Sequence, residues 1–63
     1  MIGKLCYVNV AWSWMFKGKE WVALKSNDIV ATVSTHPQFN AEIRVLSVKH
    51  GVGYVLKEHL TEL

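Results

Sequence analysis

Trp12, Trp14, Phe16 and Trp21 place four large aromatic side chains within a stretch of ten positions. Such residues carry no reactive group. Their chemistry is contact: a tryptophan enclosed by a partner contributes roughly 2–4 kcal/mol at an interface hot spot. In an extended chain the side chains alternate, so Trp12, Trp14 and Phe16 share one side. They either fill the interior of a small fold or form an exposed stripe, and an exposed stripe calls for a partner. The expected contact set is these four aromatics with Glu20 beside them, and Tyr54 and His59 on the rim. Lys17, Lys19 and Lys25 flank the same segment. Aromatics beside cations are also how small barrels stack single-stranded bases. Glu20, Asp28, Glu42, Glu58 and Glu62 dilute that field, and the net charge is only +2.

Reactive constellations are weak. His36, His50, His59 and Cys6 show no zinc-type spacing and no accompanying carboxylate pattern. Cys6 reads as a small core residue, and the histidines as surface residues. Ser13, Ser26 and Ser47 lie in no nucleophile elbow, and nothing in sequence sets a base beside Cys6. Gly51-Val52-Gly53 is too short for a phosphate loop, with no helix start after it. A chain of 63 residues has little room for a cleft backed by supporting residues. The expectation is a non-enzyme that needs no cofactor and no metal.

The elements that must position the aromatics are strands. Hydrophobic residues make up 51% and charged residues 19%, the balance of a folded globule rather than a disordered tail. Alternation predicts a strand over Leu5–Val10, and β-branched residues predict others over Asp28–Thr35 and Ala41–Val48. Gly53–Leu56 reads as a short fourth. Lys17-Gly18-Lys19 marks a loop tip, Ser26-Asn27-Asp28 a tight turn, and Lys49–Gly53 a hairpin connection. His36–Asn40 interrupts the ladder, because Pro37 has no amide hydrogen to donate. Leu56, Leu60 and Leu63 have helical spacing, but so short a tail predicts one 3-10 turn and a last strand. No repeat, linker, secretory signal or membrane-length apolar run is visible.

The order of these features resembles the Src-homology-3 (SH3-like) family. Val10-Ala11-Trp12-Ser13-Trp14 is similar to the family's Ala-Leu-Tyr-Asp-Tyr segment, with serine in the aspartate position. Trp21 through Val30 runs without a gap along its Glu-Leu-Ser-Phe-Lys-Lys-Gly-Asp-Ile-Leu pattern. Gly51-Val52-Gly53-Tyr54-Val55 resembles its late hairpin, allowing one residue of slippage, and Leu60–Leu63 its closing strand. The resemblance spans roughly residues 5–63. It implies an all-β, five-stranded SH3-like barrel, a single domain over residues 1–63, with a 3-10 turn before the last strand. The family's groove for proline-rich peptides departs here. Glu42-Ile43-Arg44 stands where the family has a tryptophan, Leu56 and His59 where it has proline and tyrosine, and the acidic loop holds two lysines and one acid. Only Trp12 and Trp14 carry over as possible groove residues.

The functional expectation is a non-catalytic protein-interaction module that docks a partner protein through the aromatic patch. It would be cytoplasmic, off the membrane, and a monomer or weak homo-oligomer. Met1 and a strand at the C-terminus lead to the expectation of a complete small gene product, such as a phage or mobile-element accessory protein. The alternative is a small nucleic-acid-binding barrel using the aromatics with Lys17, Lys19 and Lys25.

Overall fold

A computed structural model describes all 63 residues. Its elements are β1 (Leu5–Val8), β2 (Trp12–Lys17), β3 (Glu20–Lys25), β4 (Ile29–Thr35), β5 (Glu42–Ser47), β6 (Gly51–Leu56), a 3-10 turn (Lys57–His59) and β7 (Leu60–Glu62). All strand pairs are antiparallel, in the order β3-β2-β6-β5-β4-β1-β7. No helix is long and apolar enough to cross a membrane.

The chain is all-β as expected, but it has seven strands where five were anticipated. The two additional strands are β2 and β3, the segment whose Lys-Gly-Lys sequence had suggested a loop tip. That tip is real and very short. Lys17 pairs with Glu20, leaving Gly18 and Lys19 as a two-residue turn in which Gly18 takes φ 65°. Glycine at the first central position matches a tight hairpin to the right-handed twist of its strands. Six consecutive pairs from Trp12↔Lys25 to Lys17↔Glu20 follow, so the turn propagates into a full ladder.

The hydrogen-bonded order is also open rather than closed. β2 uses its two edges on β3 and β6, and β1 uses its two on β4 and β7. That leaves β3 and the three-residue β7 as unjoined ends. The sheet nevertheless curls onto itself. Laid flat, seven strands would be about 29 Å wide in a single layer. The molecule measures 26 × 24 × 18 Å, with a short axis that fits two layers. One cluster of buried side chains draws on every strand: Cys6 and Val8, Met15, Leu24, Val30, Ile43 and Val45, Val55, and Leu60.

Two local features bend the sheet. The β4–β5 register shifts between Thr32 and Ser34, so Val33 is an extra residue, and a bulge of this kind sharpens twist. Gly53 is the other. A β-carbon there would sit 2.7 Å from Met15 Cγ and 2.8 Å from the Phe16 carbonyl oxygen, so its absence lets β2 cross close over β6. At that crossing β2 and β6 share a single register pair, Phe16↔Tyr54. The turn before β4 follows the predicted chemistry, whereas the expected Lys49–Gly53 connection ends early, because Gly51 to Gly53 already pair with Ser47 to Val45 in β6. Asn27 takes φ 70° in the turn before β4, with the Lys25 amide donating to Asp28 Oδ2 at 2.9 Å. The N-terminal segment is tied down by buried Thr32, whose hydroxyl accepts from the Lys4 amide at 3.0 Å and bonds the Met1 carbonyl.

Candidate functional site

Alternation along β2 sorts its side chains into two sets. Ser13 and Met15 turn inward and are buried, while Trp12, Trp14 and Phe16 face outward. The register extends that outer face across β3, where Trp21 lies opposite Phe16, Ala23 opposite Trp14 and Lys25 opposite Trp12. None of the three tryptophans plugs the core. Met15 and Leu24, on the inner face of the same hairpin, do that. Trp12 is 55% exposed, Trp14 49% and Trp21 63%, so two residues are more than half in water and the third nearly half. The rings still order one another. Trp12 and Trp14 meet edge to face, with centroids 5.0 Å apart and planes at 65°, and Phe16 packs on Trp21 at 4.8 Å. Pairs of this kind contribute roughly 0.5–1.5 kcal/mol beyond area burial.

A groove of about 300 Å³ opens beside this face. Its aromatic walls are Trp12, Trp14, Trp21 and Tyr54. Ser13 and Val55 lie at its floor, and Glu42, Leu56 and His59 complete its lining. Lysine and arginine are absent from that lining. A depression formed by Trp14 and Trp21 alone adjoins it. Beyond Tyr54 the aromatic surface continues through His36, whose ring packs at a tilt against Tyr54 at 4.4 Å and Phe39 at 4.8 Å. The His36 ring is held by its own turn, where Nδ1 accepts the Gln38 and Phe39 amides at 3.0 and 3.2 Å.

The structure thus brings together five of the seven contact residues expected from sequence: Trp12, Trp14, Trp21, Tyr54 and His59. Phe16 stays on the outer face but supports Trp21 instead of lining the groove. Glu20 does not join the patch. It pairs with Lys17 beside the turn, and both are one residue out of step with the tryptophans, on the other face of the hairpin. The basic set is likewise dispersed. Lys17 and Lys19 sit at the hairpin tip, while Lys25 lies at the far end of β3, five residues or about 17 Å of strand from Glu20.

Sequence reasoning missed two features of the site. Glu42 entered as one of the acids diluting the basic field and as a departure from a family pattern, yet it supplies the groove's one carboxylate. Ser13 is 4% exposed, and its Oγ lies 2.8 Å from His59 Nδ1 across 46 residues of chain. That hydrogen bond braces the 3-10 turn against β2. No other side-chain hydrogen bond holds the imidazole, so no carboxylate orients it as a triad would require. Asn9 completes the brace. Its amide nitrogen donates to the Glu58 carbonyl at 3.1 Å and Thr61 Oγ1 at 3.0 Å, and its backbone amide donates to the His59 carbonyl. Cys6 is buried in the core, and no group of three His, Cys, Asp or Glu side chains could hold a metal. Burial pushes the Cys6 thiol pKa up, with the Glu62 charge adding to the effect.

Comparison with known proteins finds no matching family model, no matching curated protein and no matching solved structure.

Proposed function

We propose that this chain is a non-catalytic protein-interaction module on an SH3-like frame, and that it grips a partner protein through the tryptophan face and its groove. One observation carries the reading: three exposed indoles share a single hairpin face around a common groove. Exposed apolar surface of that kind is costly in an isolated protein and is typical of contact surfaces. Tryptophan combines a large rigid contact area with few rotamers to freeze, so a partner gains affinity at low entropic cost. The hairpin's ladder and the Ser13–His59 brace hold the face in shape before binding. Preorganisation of this sort reduces the ordering cost of association.

The SH3-like frame is supported by element order. A first strand precedes a long hairpin, a β4–β5–β6 meander follows, and a 3-10 turn leads into a strand beside β1. On this reading the β2–β3 hairpin is the family's first long loop, drawn here into a regular ladder. Trp12, Trp14, Leu56 and His59, which align with the family's groove positions, all border one groove. Nucleic acid ranks second, because the groove walls hold a carboxylate and no lysine or arginine to meet phosphate.

The test is affinity capture at moderate salt with nuclease treatment, followed by titration of the recovered protein against wild type and Trp14→Ala. Support is a stoichiometric protein complex that survives nuclease, weakens at least tenfold with Trp14→Ala and changes little between roughly 50 and 200 mM salt. Recovery that vanishes with nuclease, or is indifferent to Trp14→Ala, refutes the reading.

A further inference from the structure

We infer that the groove is a cation site, and that its occupant is the methylated ammonium head of a lysine side chain on the partner protein. The inference rests on the protein-interaction reading and adds the chemistry of the contact. Four aromatic rings line the groove, and two of them, Trp12 and Trp14, pack edge to face at 65°, so their planes turn in different directions along it. The face of each ring carries negative potential that attracts a cation, most strongly for tryptophan. Glu42 adds a full negative charge to the same lining. That carboxylate has no ion-pair partner: the one ion pair in the protein joins the N-terminus to Glu62 at 4.0 Å. The chain carries seven Lys and Arg residues, yet the groove lining includes none. A partner's neutral apolar group would cover Glu42 without compensating its charge, which is expensive. A cation removes that cost.

The kind of cation follows from the hydrogen-bonding inventory. A plain ammonium has three strongly hydrated N–H donors, and a guanidinium has five. The three indoles bring donors only, and Ser13 and His59 are engaged with each other, so Glu42 and the Tyr54 hydroxyl are the main acceptors left to satisfy them. A trimethylated ammonium has no donor to satisfy, is weakly hydrated, and spreads its charge over methyl groups that can lie flat on ring faces. Size agrees. At roughly 30 Å³ per water-sized group, a space of about 300 Å³ admits the eight or so heavy atoms of a trimethylated lysine side chain.

The experiment follows tryptophan emission of the full chain at fixed ionic strength during four titrations. The first two probes are choline and its uncharged isostere 3,3-dimethylbutan-1-ol. The other two are a short capped peptide with one trimethyl-lysine and the same peptide unmethylated. The proposal expects choline and the trimethyl-lysine peptide to saturate the signal, with the isostere and the unmethylated peptide about tenfold weaker. Glu42→Gln and Trp14→Phe should each weaken choline several-fold. Their urea midpoints, read beside wild type, show that the fold is intact. Equal binding of choline and its isostere overturns the proposal in favour of a merely apolar groove. No response to choline overturns it outright, and a choline response without one to the methylated peptide overturns the lysine assignment. If choline fails while a Trp14-dependent protein complex forms, the interaction reading survives and the cation site falls. If choline binds and no such complex forms, the interaction reading falls and takes the partner-lysine assignment with it, leaving only a cation site.

Discussion

Replacing Gly53 by alanine tests the packing that seats the whole candidate site. Gly→Ala at an unstrained position usually stabilises a protein by about 0.4–1 kcal/mol, because the unfolded chain loses freedom. Here the added carbon would meet Met15 Cγ at 2.7 Å, the Phe16 carbonyl oxygen at 2.8 Å and Met15 Sδ at 3.1 Å. The methionine can swing aside, but the carbonyl is backbone of β2. Overpacking of this kind costs about 1–3 kcal/mol, so the expected net loss is about 1–2 kcal/mol. A domain of this size has roughly 3–5 kcal/mol to lose, and each kcal/mol moves the melting point by about 4–8 °C. The assay is urea unfolding followed by tryptophan emission, with Met15→Ala and the double variant completing a cycle. Relief of the methionine clash predicts a double variant less destabilised than the sum by about 0.5–1.5 kcal/mol. A residual deficit reports the Phe16 carbonyl. An unchanged or raised midpoint for Gly53→Ala would refute the claim that β2 passes this close to β6. Since Phe16↔Tyr54 is the one register pair joining those strands, the variant should also weaken ligand binding to the groove.

Truncating Trp21 to alanine should change stability by no more than about 1 kcal/mol, since the ring is exposed and its main partner is Phe16, yet it should reduce partner affinity at least tenfold. Titration and urea melts of the same sample separate the two effects. Ser13→Ala removes the 2.8 Å bond to His59 and should cost about 0.5–1.5 kcal/mol, and a cycle with His59→Ala should return a coupling of that size. Additive losses would mean the pair contributes nothing. Thr32→Val keeps the shape but removes the acceptor for the Lys4 amide, so that amide should exchange with deuterium faster while the β5 amides stay protected. The Cys6 thiol, harder to ionise in the fold than in the unfolded chain, contributes stability that is fully present below the ordinary thiol pKa. That contribution is lost as pH climbs towards the raised value. Urea midpoints should therefore fall on the alkaline side in wild type and less in Cys6→Ala, and a parallel decline in both would contradict the assignment.

By itself the sequence determined what is local. β-Branched residues over Asp28–Thr35 and Ala41–Val48 specified strands, which form as Ile29–Thr35 and Glu42–Ser47, because such side chains fit a half-buried pleat. Pro37 stopped the ladder, Gly18 and Asn27 turned the chain, and the spacing of the last leucines was too short for anything beyond a 3-10 turn. The shared side of Trp12, Trp14 and Phe16 was legible as well, since it requires only that the segment be extended. Which side of the sheet became interior was not. Outward tryptophans and an inward Met15 follow from where β6 and β3 pack, and the aromatic segment would have served equally well as filler. The extra strands of the hairpin, the removal of Glu20 to its other face, and the meeting of Ser13 with His59 also depend on pairing between distant segments. Glu42 gains its meaning only beside Trp21 and Tyr54, residues at least twelve positions away in the chain. Local propensity acts over a few residues, whereas a groove is assembled by the contacts that bend a sheet over its core. Gly53 decides that bend, and its role rests on Met15 and the Phe16 carbonyl, nearly forty residues earlier.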